Sequence, residues 1–312
     1  MDDTTRAGTG TAPARAPDPG LYGPGSVTWQ CHGDPMMWIA GVRALYLQAL
    51  HPRAVRGVME NSAAFQGRRG RHDAWGRLLR TADFVGTLTY GTTGAAERAG
   101  ARVRAIHRTL SATDPDTGER FPVDDPDLLL WVHCAQIDSF LHVLRRSGVP
   151  LTPAQADRYV DENRVNARLV GLDPAGVPAD TAALAAYFET VRPELAAGPD
   201  AHDVDDFLRA PPVHPLLVPG RNLLWRPLAG LAYGSLPGWA HRLYGRPAPA
   251  PRSVTRRLRL TGRLLRSIPA GLRWQLPPGH ILKAMRRMGP GSRPSPYTLR
   301  AAAAILDRPG RA

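Results

Sequence analysis

The chain is short of lysine and cysteine: among 312 residues Lys283 is the only lysine, and Cys31 and Cys134 are the only cysteines. Two thiols so far apart, with no C-x-x-C and no His/Cys cluster, argue against a disulfide framework or a thiolate zinc site. No uninterrupted run of about 18 apolar residues occurs, so no transmembrane helix is expected. The stretch before Gly25 has neither a basic n-region nor an apolar h-region, so no signal peptide is expected and a cytoplasmic address is the default. Common enzyme signatures are missing as well. There is no Gly-x-Ser-x-Gly, no H-E-x-x-H, no Walker A and no Rossmann fingerprint.

What is present suffices for a core, since 43% of the residues are hydrophobic. Gly and Pro number 31 each, which predicts frequent helix stops. Almost nothing alternates with period two. Apolar positions instead recur at three and four residues, predicting helices over 35–50, 53–62, 74–90, 94–111, 125–147, 152–170 and 180–194. The last three open on Asp125-Pro126, Thr152-Pro153 and Asp180-Thr181, which are N-cap contexts. Shorter helices are expected near 215–232, 236–244, 252–268 and 278–288. The fold class is therefore all-α, a single multi-helix domain over 25–288, with a flexible tail over 1–24 and a C-terminal tail over 289–312.

Charge is uneven. Residues 221–312 hold 18 basic side chains against one acid, Asp307, and leave the first 220 residues slightly acidic. Within 252–288, arginines interleave with leucines in a way that suits a solvated helix face, an anionic membrane surface or a nucleic-acid backbone. No nucleic-acid motif accompanies the charge, so no nucleic acid is expected as a partner.

Four segments could carry chemistry. Arg77, Arg80 and Thr81 are spaced i, i+3, i+4 on one helix face, where two guanidiniums and a hydroxyl suit a carboxylate, a phosphate or an oxygen-derived ligand. An exposed helix face explains the same spacing. His107 shares a stripe with Val103, Ile106 and Leu110, which predicts that it faces the core. A satisfied core histidine and an axial ligand to haem iron are both consistent with that placement. His51, before Pro52, and His133, on a face with Ile137 and Phe140, show no close metal spacing.

In order along the chain, Gly25-Ser26-Val27-Thr28-Trp29, Ala49-Leu50-His51-Pro52, Arg77-x-x-Arg80-Thr81, Tyr90-Gly91, His107 and Leu130-Trp131-Val132-His133 resemble the MpaB-type oxygenase family. That family includes the latex-clearing protein, a rubber oxygenase. The resemblance implies a globin-related helical bundle holding haem b and iron for dioxygen chemistry on a hydrophobic, isoprenoid-like substrate. It implies His107 as the iron ligand, and Arg77 and Thr81 as the catalytic pair beside the haem. Arg80 falls where rubber-cleaving members have lysine. Arg77, Arg80, Thr81, His51 and His133 are then the further cofactor-binding candidates, the two histidines as supporting or core residues. The acid those members use as a base has no secure counterpart; Glu60 is nearby in sequence but is followed by Asn61-Ser62. Two other classes stay open: a non-catalytic helical haem carrier or sensor, and a cofactor-free protein that docks on anionic membrane through 252–288.

Overall fold

The computed structural model describes residues 16–62, 74–214, 216, 218–275 and 279–299. Among the described residues fourteen α-helices have six or more residues. The first three are α1 (Val27–His32), α2 (Met37–Gln48) and α3 (Pro52–Asn61). Then come α4 (Ala74–Tyr90), α5 (Thr93–His107), a hairpin of β1 (Ser111–Thr113) and β2 (Arg120–Pro122), and α6 (Pro126–Arg146). Next are α7 (Pro153–Glu162), α8 (Arg164–Val170), α9 (Thr181–Val191) and α10 (Pro199–Arg209). The basic third contributes α11 (Arg226–Gly234), α12 (Gly238–Tyr244), α13 (Pro251–Ser267) and α14 (His280–Met288). The all-α expectation holds, and no described helix is long and apolar enough to cross a membrane.

The core forms where α2 lies along α6, the most extensive helix pairing in the molecule. α2 buries residues around most of its circumference, among them Ile39, Val42, Tyr46 and Leu47, as an interior helix must. Arg43, 1% exposed, is the polar pin of this pair. Its guanidinium donates to Asp138 Oδ2 and Ser139 Oγ at 2.7 Å and to the Ser235 carbonyl at 3.3 Å, so one buried cation joins α2, α6 and the end of α11. Buried indoles do similar work: Trp131 Nε1 donates to Gln48 O at 3.1 Å and Trp29 Nε1 to Ser292 O at 2.9 Å.

Several sequence expectations change. The helix expected over 152–170 is two, because the Asn163 side chain donates to the Tyr159 carbonyl at 2.7 Å and to Thr28 Oγ1 at 3.0 Å, competing with the helix ladder. α10 was not expected; its Asp- and His-rich sequence hides a buried stripe of Ala201, Val204, Asp205 and Leu208. The β1–β2 hairpin was not expected either. Its register pairs Ala112 with Phe121, and its loop uses Gly118 at φ +75° with Asp114 Oδ1 accepting from the Asp116 and Thr117 amides.

The described parts of the two expected tails are docked rather than free. Asp18 accepts from Thr93 N and Oγ1, each at 2.9 Å, while the Asp18 carbonyl accepts from Arg287 Nε at 2.8 Å. At the other end, Ser295 N donates to Gln30 Oε1 at 2.6 Å and the Leu299 carbonyl accepts from Gln155 Nε2 at 3.1 Å. Residues 1–15 and 300–312 lie outside the described residues.

Candidate functional site

α4 and α5 make an antiparallel hairpin. Gly91 N donates to the Thr87 carbonyl at 2.9 Å to end α4, and Thr92 Oγ1 accepts from Ala95 N at 3.2 Å to start α5. Arg287 clamps this closed end through the Tyr90 and Gly91 carbonyls at 2.9 and 3.2 Å. At 1.5 Å per residue, helices of 17 and 15 residues extend roughly 22–25 Å from the turn. The beginning of α4 and the end of α5 therefore lie at the same, open end of the hairpin.

The inner faces follow from helical periodicity. On α4 the positions Arg77, Thr81, Phe84 and Leu88 recur at i, i+4, i+7, i+11; on α5 Ala96, Gly100, Val103 and His107 do the same. Near the closed end these stripes are packed, since Leu88, Ala96 and Leu169 of α8 form one buried cluster with Phe84 against it. Toward the open end the cover thins. Val103 and His107 are half-buried and Thr81 is exposed, although all three continue packed stripes. His107 thus ends the inner stripe of α5, with its Nδ1 shielded from solvent, at the end of the hairpin where Arg77, Arg80 and Thr81 begin α4.

The expected His107 stripe needs correction in one respect. Ile106 lies off the inner face and is 49% exposed, so the stripe that carries His107 is Ala96–Gly100–Val103, which has no other large side chain. Gly100 is there because α8 crosses at that point. A β-carbon on it would stand 2.7 Å from the Leu169 carbonyl oxygen and 2.9 Å from the Leu169 β-carbon. The Arg104 guanidinium donates to that same carbonyl, fixing the last two turns of α5 on α8. The side chain of Arg77 lies outside the described residues; Arg80 is exposed on the flank of the inner stripe.

A rim that the sequence did not reveal closes one side. The end of α3 meets the strand that follows His107: Asn61 Nδ2 donates to the Ser111 carbonyl at 2.9 Å, and Glu60 Oε2 accepts from Thr113 N at 3.1 Å. Glu60 Oε1 also accepts from Arg56 Nε at 3.0 Å, so its carboxylate anchors α3 to β1. The available signal was Glu60-Asn61 at a helix end, too common a pairing to read.

The structure does not bring His51 to this end. It caps α3, with Nδ1 accepting from Ala54 N at 3.5 Å and Nε2 lying 3.7 Å from Glu194 Oε2, nine residues of helix away from Glu60. Burial lowers its pKa, so the ring caps as neutral imidazole. His133 follows Leu129 by one turn on the side of α6 that meets α8, where Leu129 packs on Ala167. Burial pushes it down to about 4, which keeps it neutral at physiological pH.

A third imidazole, absent from the sequence reading, supports the hairpin from below. Thr89 Oγ1 gives its proton to the Val85 carbonyl at 2.9 Å and therefore accepts from His32 Nδ1 at 2.8 Å. His32 Nε2 is then left to accept from Tyr159 Oη at 2.9 Å, and burial holds the ring down to about 3. Among the described residues no three His, Cys, Asp or Glu side chains gather as a metal-ion cage.

Residues 29–267 match the family model described as ER-bound oxygenase mpaB/B'/Rubber oxygenase, catalytic domain. No curated protein and no solved structure matches the chain. The match spans most of the sequence, including α4, α5 and the rim, and the chain belongs to this family of oxygenase domains.

Proposed function

We propose that this member of the mpaB/rubber oxygenase family is a haem b-dependent oxygenase that acts with dioxygen on a hydrophobic, isoprenoid-like substrate. The observation that carries the proposal is the open end of the α4–α5 hairpin, where the thinly covered inner stripes place His107 at the same end as Arg77, Arg80 and Thr81. A haem would need from the protein a nitrogen ligand for its iron, apolar walls and cations for its propionates. The residues present fit that request. Bound haem would supply the iron that activates dioxygen.

In this arrangement His107 would hold the iron, from the end of a helix that Arg104 and Gly100 seat on α8. Arg80 would offer a guanidinium fork for a propionate, and Arg77 falls three positions before it on α4. Thr81 offers a hydroxyl beside the same face and orients a polar oxygen ligand. Val103, Phe84 and Leu88 form the apolar floor that excludes water. His133 stays neutral behind α8, and His51 is assigned to the α3 cap rather than to the cofactor. Glu60 is committed to Arg56 and the β1 backbone, so it stiffens the rim.

The test is to express the protein with haem precursor, quantify haem by pyridine haemochrome and follow oxygen uptake on adding a polyisoprenoid alkene. Near-stoichiometric b-type haem with alkene-dependent oxygen uptake is expected. A folded, colourless protein after haem reconstitution overturns the cofactor assignment. Haem binding without oxygen uptake overturns the oxygenase reading and leaves a carrier or sensor.

A further inference from the structure

Helix α13 lies against the bundle through Val254, Leu258 and Gly262 and turns its opposite side outward. Among its arginines that outer side exposes Leu260 (55%) and Leu264 (60%), one turn apart. The helix ends at Ser267; Ile268, also exposed, follows in extended conformation, and Leu272, 61% exposed, lies on the short helix Ala270–Arg273. Four exposed large aliphatic side chains between 260 and 272 are more than scattered surface leucines explain. Arg256, Arg257 and Arg263 are also exposed on α13, and no carboxylate pairs with them among the described residues.

At the end of α13 the same surface opens into a cleft of about 210 Å³ whose lining includes Arg266, Arg273, Trp274, Arg293 and Tyr297. Arg266 is neutralised there by Asp34, Nε to Oδ2 at 2.7 Å. Arg273 and Arg293 are not paired with any acid among the described residues; their guanidiniums lie 5.9 and 5.6 Å from the centroid of the Trp274 ring. The Trp274 indole N–H is spent on the Gly33 carbonyl at 3.1 Å, which fixes the ring beside both cations. Tyr297, 48% exposed, stands among the lining residues.

We propose that this face docks the protein on an anionic phospholipid surface, with exposed Leu260 and Leu264 of α13 and Ile268 and Leu272 after it entering the boundary between headgroups and acyl chains, and with Arg273 and Arg293 receiving headgroup phosphate. Exposed aliphatic side chains among arginines, beside an aromatic cleft with guanidiniums that form no ion pair, are the chemistry of an interfacial segment. A sugar-phosphate backbone would use the arginines and leave the four aliphatic residues in water. No acid falls between 221 and 306, and Asp34 in the cleft lining is neutralised by Arg266, which keeps repulsion from an anionic leaflet low. The proposal is independent of haem binding and stands or falls separately from it.

The test uses the full-length chain in flotation with phosphatidylcholine vesicles, with and without phosphatidylglycerol. Recovery with the phosphatidylglycerol vesicles alone, falling as salt is raised, is the expected result. The double substitution Leu260→Ser/Leu264→Ser and the double substitution Arg273→Gln/Arg293→Gln should each weaken binding at least about tenfold with unchanged circular dichroism. Arg102→Gln, an exposed charge on α5, should leave binding unchanged. Equal recovery with neutral vesicles, no recovery at all, or binding indifferent to both double substitutions overturns the proposal. So does duplex DNA binding that survives the leucine substitutions while vesicles are ignored.

Discussion

The α-carbon of Gly100 faces the carbonyl of Leu169 so closely that a methyl group there would come within 2.7 Å of the oxygen. This contact lets α5 cross α8 and sets the height at which His107 emerges from the bundle. Gly100→Ala should destabilise the protein by about 1–3 kcal/mol through overpacking, despite the better helix propensity of alanine. A thermal melt of the variant checks this. A gain in stability would mean that α8 moves aside freely and does not position α5.

The Asn61 side chain bridges Gly57 O at 3.0 Å and Ser111 O at 2.9 Å, tying α3 to the strand that starts four residues after His107. Asn61→Ala removes both bonds and should cost about 1–2 kcal/mol in urea unfolding. Because the bridge fixes the rim, the variant should also lose haem faster than wild type in transfer to apomyoglobin. Unchanged haem loss would detach the rim from the site.

Acid should destabilise the protein well before its carboxylates titrate. Burial holds His32 down to about 3 and His133 to about 4, and burial with Arg43, Arg146 and Arg145 nearby holds His142 to about 2. In the unfolded chain each titrates near 6.5, so below that pH the unfolded state takes up protons that the folded state refuses. Stability is therefore fully present above about pH 7 and falls as pH drops, by about 1.4 kcal/mol per unit for each such histidine. Urea unfolding at about pH 7.5, 6 and 5 should show midpoints that fall at each step. A flat midpoint over that range would show that these rings are not held neutral.

Both thiols should be inert in the folded protein. Burial pushes Cys134 up to about 12 and raises Cys31 as well, beyond the range in which a thiolate forms. Alkylation by iodoacetamide should be negligible natively and complete in denaturant, read by mass spectrometry. Native labelling at either position would contradict the packing of α1 or α6.

Much of the fold was legible because its helices begin on local signals. Asp125, Thr152 and Asp180 cap the helices they introduce, and Thr152 closes a reciprocal capping box with Gln155. The break at Asn163 was not legible, since it depends on Thr28, 135 residues away in sequence. Three-residue strands are too short to show alternation, which hid the hairpin around Gly118. At the site, the spacing of Arg77, Arg80 and Thr81 and the isolation of His107 could be read directly. The neighbours of His107 were misjudged because Ile106 and Leu110 are more hydrophobic than Ala96 and Gly100, while close helix approach selects the small residues. His51 precedes Pro52 at a helix boundary, and its ring caps the helix that follows.

The most direct measurement is the absorption spectrum, oxidised and dithionite-reduced, of wild type and His107→Ala expressed side by side with haem precursor. The account predicts a Soret band in the wild type and its loss or a clear shift in the variant, with helical content unchanged. A variant that keeps haem with the wild-type spectrum would contradict the assignment of His107 and with it the site at the open end of the hairpin.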